Sequence, residues 1–148
     1  AGLIVGDAEL VHRCARHPLA RALRCGDLVL GAMAEVAIAY LEGTAGTLPL
    51  WSMATSTVPE LEARASALAD KLSSWRPVPT ESVPGGGTLP EAVIPSVGLA
   101  RDGDHSAALL EASPPVVARV ADGRTICDLR TVLDDDELLA ALREVDTP

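Results

Sequence analysis

Through the first half of the chain apolar residues recur at spacings of three and four, and through the second half they fall into short runs broken by proline and glycine. The change of texture predicts helices first and a small mixed layer after them. Leu3 to Val5, an apolar run between glycines, reads as the tail of a buried strand. Asp7 can cap a helix that carries Leu10, Val11 and Cys14 on one side and runs to about Arg16. Pro18 restarts the chain at a position where its missing N–H costs nothing. Asp27 is a further candidate cap, and from Leu28 to Leu41 apolar residues fall nearly all round, so this helix must be buried or covered by a partner. Gly43 ends it, and residues 43–49 read as a loop.

Thr57 and Glu60 have the spacing of a capping box, and Val58, Leu61, Ala65, Leu68 and Leu72 follow as one inward stripe. From Trp75 onward prolines, valines and glycines take over. Val78 to Val83 and Ile94 to Ala100 read as strands around a glycine loop at 85–87. Asp104 can cap a helix through about Ala112, and Val116 to Ala121 and Arg124 to Leu129 flank the hairpin signal Asp122-Gly123. A last amphipathic helix opens at Asp134 to Glu137 and ends near Val145. The order from residue 78 is β-β-α-β-β-α, an α+β layer.

Composition narrows what this pattern can be. The 148 residues suffice for a real core, yet with no Phe, one Tyr and two Trp that core must be built from Leu, Val, Ile and Ala. No apolar run reaches the roughly 18–20 residues of a membrane span. The first residues lack the pattern of a signal peptide, and the chain reads as cut from a longer one. A net charge of −9 argues against a broad nucleic-acid-binding surface. Cys14, Cys25 and Cys127 have no zinc-site spacing, and their sparse, odd count fits a reducing compartment, hence the cytoplasm.

Candidate chemistry centres on residues 17–27. Arg21 and Arg24 stand one helical turn apart, so on a helix begun by Pro18 both guanidiniums leave one face, a paired fork suited to a phosphate. The same pair also fits a solvated face or partners for some of the 21 acidic residues. Leu19 and Leu23 form a separate stripe able to pack inward. Lys71, the single lysine, reads as a solvated ammonium near Asp70, and His12, His17 and His105 lie too far apart for a local metal motif. The triple glycine lacks the Lys-Ser/Thr of a phosphate-binding loop.

Residues 1–6 (Ala-Gly-Leu-Ile-Val-Gly), 17–24 (His-Pro-Leu-Ala-Arg-Ala-Leu-Arg), 85–90 (Gly-Gly-Gly-Thr-Leu-Pro), Pro95-Ser96, 119–124 (Arg-Val-Ala-Asp-Gly-Arg) and 128–131 (Asp-Leu-Arg-Thr) form a collinear set. Together and in this order they resemble the C-terminal third of the bacterial selenocysteine synthases, the L-seryl-tRNA(Sec) selenium transferases. The resemblance implies a fold-type I pyridoxal-phosphate enzyme. Residues 1–75 would then hold the end of the large domain and its connecting helices, and 76–148 the small C-terminal α+β domain. It further implies that the lysine holding pyridoxal 5'-phosphate lies just before Ala1, so no catalytic residue falls within this chain and the chain alone is expected to be inactive. The implied reaction converts seryl-tRNA(Sec) to selenocysteinyl-tRNA(Sec) with selenophosphate, by loss of the serine hydroxyl and addition of selenium to an aminoacrylyl group.

In this resemblance Arg21 and Arg24 match the arginine pair that binds the selenium donor. The implied partners are seryl-tRNA(Sec), selenophosphate and further copies of the chain, at least a dimer and then a larger ring, with no membrane; the acidic balance puts most tRNA contact outside these residues. Two departures stand out: Cys25-Gly26-Asp27 follows the pair where the family commonly has Asp-Lys, and Ser52 stands where it often has arginine. Two other readings remain: a pyridoxal-phosphate lyase acting on a small phosphorylated amino acid or amino sugar acid, and a non-catalytic domain whose helix at Leu28 to Leu41 serves oligomerisation.

Overall fold

Helix formation begins where the sequence supplies a cap. Asp7 accepts from the N–H groups of Glu9 and Leu10 at 3.0 and 3.1 Å. Helix α1 (Ala8–Arg16) follows, acidic in its first turn and basic in its last, as the helix dipole favours. The computed structural model describes residues 2–85 and 92–146 and separates into two units, Ala1–Leu48 and Pro49–Pro148.

In the first unit α2 (Pro18–Ala22) has Pro18 at its start, and α3 (Asp27–Leu41) is capped by Gly26 rather than Asp27. Asp27 instead sits in the first turn, where its charge still meets the positive end of the dipole. Gly43, at φ +73°, closes α3 in the left-handed region. The N–H of Gly43 donates to Tyr40 and that of Thr44 to Ala39, the paired bonds of a Schellman ending. A short 3-10 turn, Ala45–Thr47, occupies the expected loop. No residue of α1, α2 or α3 is buried within this chain. Leu28 is 91% exposed and Val5 90%, so the cover expected for α3 is not supplied by the described residues, and residues 3–5 form no strand.

The second unit has a core. After α4 (Pro49–Thr55), helix α5 (Val58–Ala69) starts at the predicted capping box: Thr57 N donates to Glu60 Oε2 at 2.8 Å and Glu60 N to Thr57 Oγ1 at 3.4 Å. Leu61, Ala65 and Leu68 turn inward onto a sheet of β1 (Arg76–Ser82), β2 (Ile94–Asp102), β3 (Arg119–Ala121) and β4 (Arg124–Asp128). The order is β1-β2-β4-β3 and every pairing is antiparallel. Helices α6 (Ser106–Glu111) and α7 (Asp135–Val145) add Leu109, Leu138, Leu139 and Leu142 to the same core around Trp75, Leu99 and Cys127.

The predicted order β-β-α-β-β-α is the one observed. Asp122 and Gly123 take φ of +51° and +71°, the two positive values a tight hairpin needs to match the twist of its strands. The expected strand to Leu129 stops one residue early, at Asp128, and a 3-10 turn, Leu129–Thr131, follows it. Between β1 and β2 the glycine-rich run lies outside the described residues beyond Gly85. Helix α5 buries its apolar stripe in the sheet's core and so belongs to the second unit, which begins at Pro49. The change of composition at Trp75 falls inside the second unit, where Trp75 is fully buried.

Candidate functional site

The segment from His17 to Asp27 is built by two helix starts in succession. His17 Nδ1 accepts from the N–H of Leu19 at 3.2 Å, capping α2 with an imidazole. Gly26 must then be extended, at φ −74° and ψ 165°, to begin α3. The chain between cannot stay helical, and α2 stops at Ala22. Arg21 is therefore on the helix while Arg24 lies beyond it, and the shared helical face expected for them is not formed. Both are exposed, and among the described residues neither makes a hydrogen bond or ion pair, so both guanidiniums are available to a ligand. Leu19 and Leu23 do not pack inward. They line an open apolar groove with Leu3, Ile4, Val11 and Cys14, and are 60% and 78% exposed.

A second assembly of polar groups lies in the other unit, and it joins two of the stretches singled out in the sequence. Ser96 Oγ donates to Asp128 Oδ1 at 2.6 Å, Ser82 Oγ donates to Asp128 Oδ2, and the N–H of Arg130 donates to Oδ1 at 3.1 Å. One half-buried carboxylate thus ties β1, β2 and the turn after β4. Arg130, 4% exposed, sends Nη1 to the carbonyls of Met53 and Ser56 at 2.9 and 2.7 Å and Nη2 to that of Pro95 at 2.7 Å. It holds the C-terminal end of α4 against the start of β2, a cation where the helix dipole is negative.

In the wall of a cavity of about 180 Å³, Arg64 pairs with Asp135, with Nη2 2.6 Å and Nε 3.0 Å from the carboxylate. That pairing raises the Arg64 pKa above its ordinary value, while partial burial opposes it. Ser52 and Ser56 complete the polar lining. Sequence reading missed this assembly; its one signal was Arg64, a charge three residues after Leu61 on the edge of an inward stripe. Lys71 is exposed and lines none of the cavities described, so it does not fit the role of a lysine bound to pyridoxal phosphate. No group of three or more metal-ligating side chains occurs among the described residues.

Residues 1–133 match the family model described as SelA, L-seryl-tRNA selenium transferase. The chain belongs to this family. Among curated relatives, the L-seryl-tRNA(Sec) selenium transferase of Aquifex aeolicus is 32% identical over 92% of this chain and 32% of its own length. That of Shewanella oneidensis is 35% identical over 96% and 33%, and that of Geobacter sulfurreducens 34% identical over 98% and 35%. The chain spans about a third of the length of the selenium transferases it matches. Both polar assemblies lie in the matched region except Asp135, which stands just past its end.

Proposed function

We propose that this chain is the C-terminal part of a selenium transferase that makes selenocysteinyl-tRNA(Sec) from seryl-tRNA(Sec) and selenophosphate in the cytoplasm. The observation that carries the proposal is the Arg21 and Arg24 pair: two exposed guanidiniums without protein partners, in a segment whose His-Pro-Leu and Arg-Ala-Leu-Arg pattern resembles the family's donor-binding stretch. A guanidinium presents its donors in a fork that matches phosphate oxygens two at a time, so the pair would hold and orient the phosphate of selenophosphate. Pyridoxal 5'-phosphate would supply the electron sink for loss of the serine hydroxyl. Lys71, exposed and outside the cavities, does not fit the lysine that holds that cofactor. The fold-type I architecture, with residues 1–75 as the end of the large domain and its connecting helices and 76–148 as the small C-terminal domain, belongs to the same proposal.

The uncovered apolar surface of α1 to α3 supports a further part of it. A helix that is apolar nearly all round, with Leu28 and Leu41 about nine-tenths exposed, requires cover from elsewhere in the parent protein or from another copy, as a ring-forming enzyme provides. The test is the transfer reaction of the parent protein with Arg21→Ala. Loss of one charge-assisted bidentate contact, about 1.5–3 kcal/mol, should raise the KM for selenophosphate about tenfold to a hundredfold and leave the cofactor's absorbance unchanged. Unchanged turnover at limiting selenophosphate would refute the assignment.

A further inference from the structure

Arg64 and Arg130, which line one cavity, carry more donors than the chain's own acceptors use. A guanidinium carries five N–H groups. Arg64 gives Nε to Asp135, both Nη2 hydrogens to Asp135 and the Val132 carbonyl, and one Nη1 hydrogen to the Leu129 carbonyl, which leaves one free. Arg130 gives three to the carbonyls of Met53, Ser56 and Pro95, which leaves one Nη2 hydrogen and Nε–H; the buried Nε has no partner. The Ser52 hydroxyl at the exposed side of the cavity makes no hydrogen bond among the described residues.

Charge is unbalanced in the same sense. Two guanidiniums line the cavity against one carboxylate, Asp135, and that carboxylate belongs to Arg64. No carboxylate of the described residues lies within ion-pair distance of the Arg130 guanidinium, although its side chain is almost wholly out of water. Carbonyls at the end of α4 offset part of that charge, but a buried cation without an anion is a costly arrangement. About 180 Å³ is room for a tetrahedral oxyanion with water around it.

We propose that this cavity is an oxyanion site, taking a group with the charge and size of inorganic phosphate or a carboxylate, with Arg130, Arg64 and Ser52 as its donors. Its donors do not include Arg21 or Arg24. Thermal unfolding of the chain in inorganic phosphate, against chloride at equal ionic strength, tests it. Phosphate should raise Tm with the logarithm of its concentration above Kd, by about 5 °C at about tenfold Kd. Ser52→Glu places a carboxylate at the cavity's mouth; it should raise Tm without phosphate and remove most of the phosphate-dependent rise. Ser52→Ala, which subtracts one donor at an exposed position, should raise the phosphate concentration needed for a given Tm rise about three- to tenfold.

A phosphate-specific rise in this chain that is absent from the full-length parent identifies the natural occupant as a carboxylate of the parent. A rise in both identifies a free phosphate group. No rise over chloride in this chain overturns the proposal. An equal rise in wild type, Ser52→Glu and Ser52→Ala also overturns it, marking phosphate as an adventitious ion only.

Discussion

Replacing Arg130 with methionine removes the group that joins α4, β2 and the turn after β4, while keeping most of the side-chain volume. Three carbonyls, of Met53, Ser56 and Pro95, lose their donor together. Each such charge-assisted bond is worth about 1.5–3 kcal/mol net. The three do not add, because they share one cation and because water can enter from the adjoining cavity. The range for breaking a buried ionic contact, about 3–5 kcal/mol, bounds the effect, and water access places it near the lower end, about 3 kcal/mol. With a urea slope of about 2 kcal/mol per molar, the unfolding midpoint should fall by about 1.5 M with the slope unchanged. Trp75, fully buried in this unit, supplies the fluorescence signal. Asp135→Ala is the internal comparison: its ion pair with Arg64 is about a third exposed on both sides and should cost about 1 kcal/mol or less. Equal losses for the two variants, or a shift below about 0.5 M for Arg130→Met, would refute the reasoning.

Gly98→Ala should destabilise the chain by about 1–3 kcal/mol or more, because a Cβ there would stand 2.5 Å from the backbone carbonyl oxygen of Cys127, so the β2–β4 pairing must shift; an unchanged urea midpoint contradicts this. Thr57→Ala should cost about 1 kcal/mol by opening the capping box of α5, which the same denaturation measures. Stability should fall on acidification from about pH 5 to about pH 3, because three carboxyls lie below their ordinary values: Glu60 through the N–H and hydroxyl of Thr57, Asp104 through the hydroxyl and N–H of Ser106, and Asp146, where burial opposes but the N–H groups of Ser73 and Ser74 and the charge of Arg101 prevail. Their contribution is whole above the unfolded carboxyl values and is lost as pH falls through the lowered folded ones, so Asp146→Asn should flatten the dependence, and a flat wild-type profile would contradict it. Burial pushes the Cys127 thiol up to about 12, so a thiol reagent at neutral pH should modify exposed Cys14 in the folded chain and reach Cys127 only on unfolding; equal rates at both would count against the packing.

What could be read from sequence was what neighbouring residues decide among themselves. Asp122-Gly123 bends as its dipeptide requires, Thr57 and Glu60 close their own box, Asp7 caps the helix that follows it, and the acidic run at Asp134 to Glu137 opens the last helix. Helix α4 escaped because nothing local announces it. It has seven residues, and the partner of its last carbonyls is Arg130, more than seventy residues later. The oxyanion cavity was hidden for the same reason, since Ser52, Arg64, Arg130 and Asp135 meet only through tertiary packing. Arg21 and Arg24 had the right spacing for one face, but the extended backbone that Gly26 needs to open α3 ends α2 between them. In α3 the all-round apolar pattern correctly marked a helix; its cover depends on surfaces that these residues do not supply.

Whether the guanidinium pair holds the selenium donor is decided by conversion of labelled seryl-tRNA(Sec) by the parent protein, followed across a range of selenophosphate concentrations for wild type, Arg21→Ala and Arg24→Ala. The wild type should yield selenocysteinyl-tRNA(Sec), and the variants should lose most at limiting selenophosphate and recover as the donor is raised. Absence of selenium transfer by the wild type, or variants that match it at every donor concentration, would contradict that role.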